Sequence, residues 1–153
     1  MSKNGIKYLT ISAFIVLWTL MSCVFAATVS VPLWLPYFLF NRGAYVGTRC
    51  MLLMSILFAA GTLAELLLWQ ANGFLLSIKN KNPFVTDNYK RLRNVGIFSL
   101  LIMLLFITSL FVYTTIFTAV FVGTFSVVSI IAFIVADLFC EAIRFKEENE
   151  LTI

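Results

Sequence analysis

Four apolar runs dominate the chain, at about residues 8–28, 50–77, 95–117 and 124–143, and a single long polar segment interrupts them. Each is close to or above the ~20 apolar residues that carry a helix across ~30 Å of hydrocarbon. The polar segment, Lys79 to Gly96, reads KNKNPFVTDNYKRLRNVG and holds five of the eleven basic residues: Lys79, Lys81, Lys90, Arg91 and Arg93. Charged residues are 12% of the 153 and hydrophobic ones 61%. A soluble domain carries about twice that share of charge. Such a chain cannot cover itself with polar surface in water. The expected fold is all-α: an integral membrane four-helix bundle, one domain over residues 1–153.

Lys and Arg accumulate on the cytoplasmic side of short loops. Lys3, Lys7, the five connector cations, Arg144 and Lys146 then lie inside, and only Arg42 and Arg49 lie outside. This predicts an N-in/C-in, multi-pass protein of the inner (plasma) membrane with a basic central cytoplasmic loop. The net charge of +4, gathered in loops and ends, suits anionic lipid headgroups, and no nucleic-acid-binding motif accompanies it.

Histidine is absent, and Cys23, Cys50 and Cys140 have no metal-ligand spacing; they read as small packing residues. No nucleophile–base pair is present, so no enzyme, cofactor or metal is expected.

Leu20-Met21-Ser22-Cys23 resembles a lipoprotein cleavage box, and Val24-Phe25-Ala26 would suit a signal peptidase. The apolar run continues through both, which favours a retained helix. Val29 to Arg49 follows, with Pro32 and Pro36 four apart and Trp34, Tyr37 and Tyr45 nearby. The prolines predict a broken helix along the outer leaflet, the other reading being a re-entrant lid over a pocket.

In the second run Gly61, Glu65, Leu68 and Asn72 share a face, and Ala60 with Ala64 makes a small-xxx-small pair for a close neighbour. Glu65 is the intramembrane acid. An ionised carboxylate in lipid costs several kcal/mol, so it must be protonated, paired or beside a wet cavity. It is either a proton or cation site or a group that locks helices together.

In the connector, Asn82 before Pro83 is pushed out of the helical region, Phe84 suits the headgroup layer, and Thr86 with Asp87 suits a helix start. Uncharged Thr118 to Gly123 predicts a tight outer hairpin between the third and fourth spans. In the fourth, Ser126, Ser129, Asp137, Cys140, Glu141 and Arg144 form a stripe expected to face other helices. Asp137, Glu141 and Arg144 are expected to form an inner-end charge cluster, the acids pairing with Arg91 and Arg93. The alternative is a solvated helix end; a metal on the acid pair lacks further ligands.

Asn82-Pro83-Phe84 with Asn88, Arg91 and Arg93 resembles the central loop of an uncharacterised family of bacterial four-span membrane proteins, DUF2975. Ala136-Asp137-Leu138-Phe139 and the tail Glu147-Glu148-Asn149-Glu150-Leu151-Thr152-Ile153 resemble that family's ending, with Asp137 and Glu150 exchanging Asp and Glu against its pattern and Ala142 where Gly is common. The resemblance implies a neighbouring helix-turn-helix regulator, hence a membrane partner for a transcription factor. The functional expectation is a regulatory or interaction protein that docks a cytoplasmic partner on Asn82–Arg93 and the tail Glu148–Ile153. Two other readings stand beside it. One is a small transporter or proton-coupled pore using Glu65, which with four helices would need to homo-oligomerise; the other is immunity against a membrane-active peptide.

Overall fold

The computed structural model describes residues 3–41, 47–79, 85–112 and 114–150, by backbone alone at 3–10, 38–39, 41 and 149–150. These form four helices: α1 (Lys3–Asn41), α2 (Thr48–Lys79), α3 (Thr86–Val112) and α4 (Ile116–Glu150). Within them Ile11–Tyr37, Thr48–Lys79, Thr86–Val112 and Ile116–Glu148 are long and apolar enough to cross a membrane. The chain is an all-α bundle of candidate spans.

Among the described residues close backbone packing joins consecutive helices: α1 to α2, α2 to α3 and α3 to α4. On α1, buried Val31 and Leu35 meet buried Cys50 and Leu53 at the start of α2. Further along the pair, Thr28 packs on Gly61, and Lys79 Nζ lies 5.4 Å from the Phe14 ring centre. The two helices therefore run antiparallel. Ala60 on α2 packs with Ile102 and Phe106 of α3, with Ala64 beside them, so the small-xxx-small pair does receive a helix.

Helix α3 is the centre of the assembly. Its buried residues are Asn88, Gly96, Ser99, Ile102, Phe106 and Ser109. Small and hydroxylated residues on that seam let neighbouring backbones approach, which is what drives helix association where lipid is as apolar as leucine. Ser129 of α4 donates to the Gly96 carbonyl at 3.0 Å, and a β-carbon on Gly96 would sit 3.0–3.1 Å from the Phe133 ring. Phe106 stacks on Phe121 and Phe125, and Phe74 meets Phe139 edge-on at 5.5 Å, so α2 and α4 touch through side chains. These contacts put the start of α1, the end of α2, the start of α3 and the end of α4 at one end of the bundle, the connector end.

Two expectations about helix ends are corrected. The segment after Thr28 is not irregular: α1 stays helical to Asn41 with Pro32 and Pro36 inside it. Each proline removes one N–H from the helix ladder. In lipid, however, an irregular backbone would leave many more groups unsatisfied, so a helix lacking two bonds costs less than a loop. Val31 and Leu35, each just before a proline, are held by the α2 contact.

The α3–α4 hairpin is the second correction. Thr118 to Gly123 lie within α4, and the turn falls before Ile116. Thr118 N–H donates to Thr115 Oγ1 at 3.4 Å, and Thr115 N–H donates to Thr118 Oγ1 at 3.2 Å. This is the reciprocal arrangement of a capping box with threonine in both places, and it starts the helix there.

Candidate functional site

Glu65 lies near the midpoint of α2, one turn after Gly61. A β-carbon at Gly61 would collide with the Thr28 hydroxyl and lie 2.7 Å from its methyl, so glycine is what lets α1 come down beside the acid. Glu65 Oε1 is buried and accepts no hydrogen bond from any described residue. The carboxylate sits at the wall of an apolar groove of about 460 Å³ between α1 and α2, bounded by Phe25, Phe58, Leu66 and Trp69. Several of these side chains are exposed on the bundle's outer surface.

At the connector end of the bundle, Asn88 is 1% exposed and donates from Nδ2 to Ser77 Oγ at 2.9 Å. It pins the start of α3 to the end of α2 and is not available as a docking residue. The Arg91 guanidinium lies across Gly73, where any side chain would meet it. Arg91 also lines a polar cleft of about 360 Å³ with Gln70, Asp87, Lys90 and Asn94, closed on one side by Trp69. Arg93 points elsewhere and donates to the Tyr89 hydroxyl at 3.4 Å. Asn82, Pro83 and Phe84 lie outside the described residues, as do Leu151, Thr152 and Ile153.

The structure does not bring Asp137 and Glu141 to Arg91 or Arg93. Both acids are exposed, and neither forms an ion pair among the described residues. Arg144 pairs instead with Glu148, one turn on, at 3.0 Å. The cause is the rotation of α4, whose buried seam is Ser129, Ala132 and Ala136. One residue advances a helix by about 100°, so Asp137, next to Ala136, points away from that seam. Of the expected polar stripe, Ser129 is buried and Ser126 half-buried, while Cys140, Glu141 and Arg144 are exposed. Cys23 is exposed like Cys140, and only Cys50 packs inside. Asn149 and Glu150 continue α4 as helix, and their side chains lie outside what is described. No three His, Cys, Asp or Glu side chains converge among the described residues.

Neither Gln70 nor Asn94 stands out in the sequence, and Lys90 does so only as one of the connector cations. Asp87/Arg91 and Lys90/Asn94 are four apart on one helix, a local signal. Their meeting with Gln70 depends on how α2 and α3 pack, and no spacing within one helix encodes that.

No curated protein and no solved structure shows a significant match to this chain. The family model described as "Protein of unknown function (DUF2975)" matches residues 2–153. Since that match spans nearly the whole chain, the protein belongs to the DUF2975 family.

Proposed function

We propose that this DUF2975 protein is a non-catalytic interaction protein of the plasma membrane, with both termini in the cytoplasm, that holds a soluble protein partner at its inner face. One observation carries the reading. Helix α4 has 35 residues and stays helical to Glu150. A crossing needs ~20 residues, so about 15 remain, enough to project as a stiff arm. Arg144, Phe145, Lys146, Glu147 and Glu148 on that arm are exposed, and it leaves the bundle at the connector end. A preformed helix pays little ordering entropy on binding and presents its side chains at fixed spacing. The partner class that the family resemblance implies is a small DNA-binding regulator, tethered through protein contacts rather than through nucleic acid.

The test is recovery of partners from solubilised membranes by the tagged full-length protein. A variant truncated after Ile143 and one with Lys146 and Glu148 exchanged should lose a partner that the intact chain retains. Equal recovery by all three removes the reading.

A further inference from the structure

The groove at Glu65 has a consistent chemistry that the docking reading does not use. Its lining contributes three oxygen-bearing side chains: Glu65, Thr28 and Thr62. Both threonine hydroxyls spend their single proton on their own helix, Thr28 on the Val24 carbonyl and Thr62 on the Ala59 carbonyl, each at 2.8 Å. A hydroxyl has one proton and two lone pairs, so what these two can still offer a ligand is acceptance. Glu65 adds an acid whose Oε1 is buried without a partner. The Trp69 indole carries the only side-chain N–H of the lining, and it makes no hydrogen bond to Glu65. The polar atoms here therefore ask for donors, and nothing nearby supplies one.

The rest of the lining is apolar and aromatic. Phe25, Phe58, Leu66 and Trp69 give the groove walls on which rings or a short alkyl body can lie, and aromatic faces also attract a cation. The groove lies along the middle of α2, too deep for a headgroup amine at the membrane surface. An acyl chain would fill the space and leave the acid oxygen unserved. An anion would find a single donor, the Trp69 N–H, and three acceptors including the acid. We infer that the groove between α1 and α2 is a binding site for a membrane-soluble amphiphilic cation, its N–H group on Glu65 and its apolar body against Phe25, Phe58 and Trp69.

Binding can be read by fluorescence anisotropy on full-length protein in lipid nanodiscs, with empty nanodiscs as the blank. Rhodamine 6G is the probe, an apolar cation with N–H donors, and Nile red is the uncharged control. The expected result is saturable rhodamine 6G binding that weakens by about tenfold or more in Glu65→Gln, a usual cost of losing one desolvated charge-assisted contact. Glu65→Asp should retain part of it, and Leu66→Trp, which fills the groove without touching the acid, should abolish it. Leu66→Trp keeps the test valid if Glu65→Gln fails to fold. Equal rhodamine 6G affinity in wild type and Glu65→Gln overturns the inference. So does Nile red binding as tightly as the cation, which would mark an unselective apolar groove. Absence of binding to wild type, with the groove covered by a second copy on crosslinking, overturns it as well.

Discussion

Asn88 and Ser77 join the two ends of the basic connector, the amide Nδ2 of one donating to the hydroxyl of the other at 2.9 Å. Eleven residues separate them in sequence, and Asn88 is almost wholly buried. A hydrogen bond between membrane helices is worth about 0.6–2 kcal/mol, because both partners find substitutes when helices separate. Asn88→Ala should therefore lower stability by about 1–2 kcal/mol, with Ser77→Ala costing less. A double-mutant cycle in SDS-titration unfolding should show a coupling of about 0.5–1.5 kcal/mol. Additive losses would mean that the bond contributes nothing.

Gly61 and Gly73, both on α2, permit a direct comparison of one substitution in two settings. At Gly61 a new methyl meets the Cβ, Cγ2 and hydroxyl of Thr28, a short β-branched side chain fixed on α1. At Gly73 it meets the guanidinium of Arg91, the far end of a flexible side chain. Gly61→Ala must push two helices apart, which should cost about 1–3 kcal/mol despite the gain in helix propensity. Gly73→Ala only displaces Arg91, and the propensity gain of about 1 kcal/mol should leave it neutral or stabilised. Thr28→Ala should restore most of the loss in Gly61→Ala. Equal effects of the two glycine variants would argue against the close α1–α2 approach.

On the other side of the bundle Ser129 donates to the carbonyl of Gly96, a residue whose bare α-carbon faces the Phe133 ring. Ser129→Ala loses one interhelical bond and should cost about 1 kcal/mol. Gly96→Leu cannot be absorbed, because its first carbon already reaches the Phe133 ring. It should separate α3 from α4 and reduce the yield of monodisperse protein on gel filtration. Native yield and elution of Gly96→Leu would contradict the packing.

What the sequence discloses here is what depends on one helix at a time. Apolar length marks α2 to within two residues at either end, and the spacing of Ala60 and Ala64 marks a close contact that α3 fills. Pro32 and Pro36 misled because the rule that proline breaks helices holds where water can satisfy a freed carbonyl. Thr118 to Gly123 read as a loop because they carry no charge, although the Thr115–Thr118 spacing of a helix cap stands at their start. Asn88 is expected on the docking segment Asn82–Arg93; its burial is decided by Ser77, on another helix. Asp137 and Glu141 share a helix face as expected, but the face that α4 buries is set by Ala132 and Ala136 against α3. Side-chain periodicity defines a stripe without saying which neighbour it meets.

The fold puts the end of α4, the start of α1, the end of α2 and the start of α3 at one end, while the proposed function needs that end to be cytoplasmic. Lys and Arg bias argues for this, since among the described residues Lys3, Lys7, Lys79, Lys90, Arg91, Arg93, Arg144 and Lys146 lie at that end and Arg49 at the opposite one. Thr114 is exposed in the turn between α3 and α4, and Glu147 is exposed on the projecting part of α4. In a background with Cys23, Cys50 and Cys140 replaced by alanine, a membrane-impermeant maleimide should label Thr114→Cys on intact cells. Glu147→Cys should label only after the membrane is permeabilised. The reverse pattern would invert the protein, turn the projecting arm of α4 outward and leave a cytoplasmic partner nothing of it to bind.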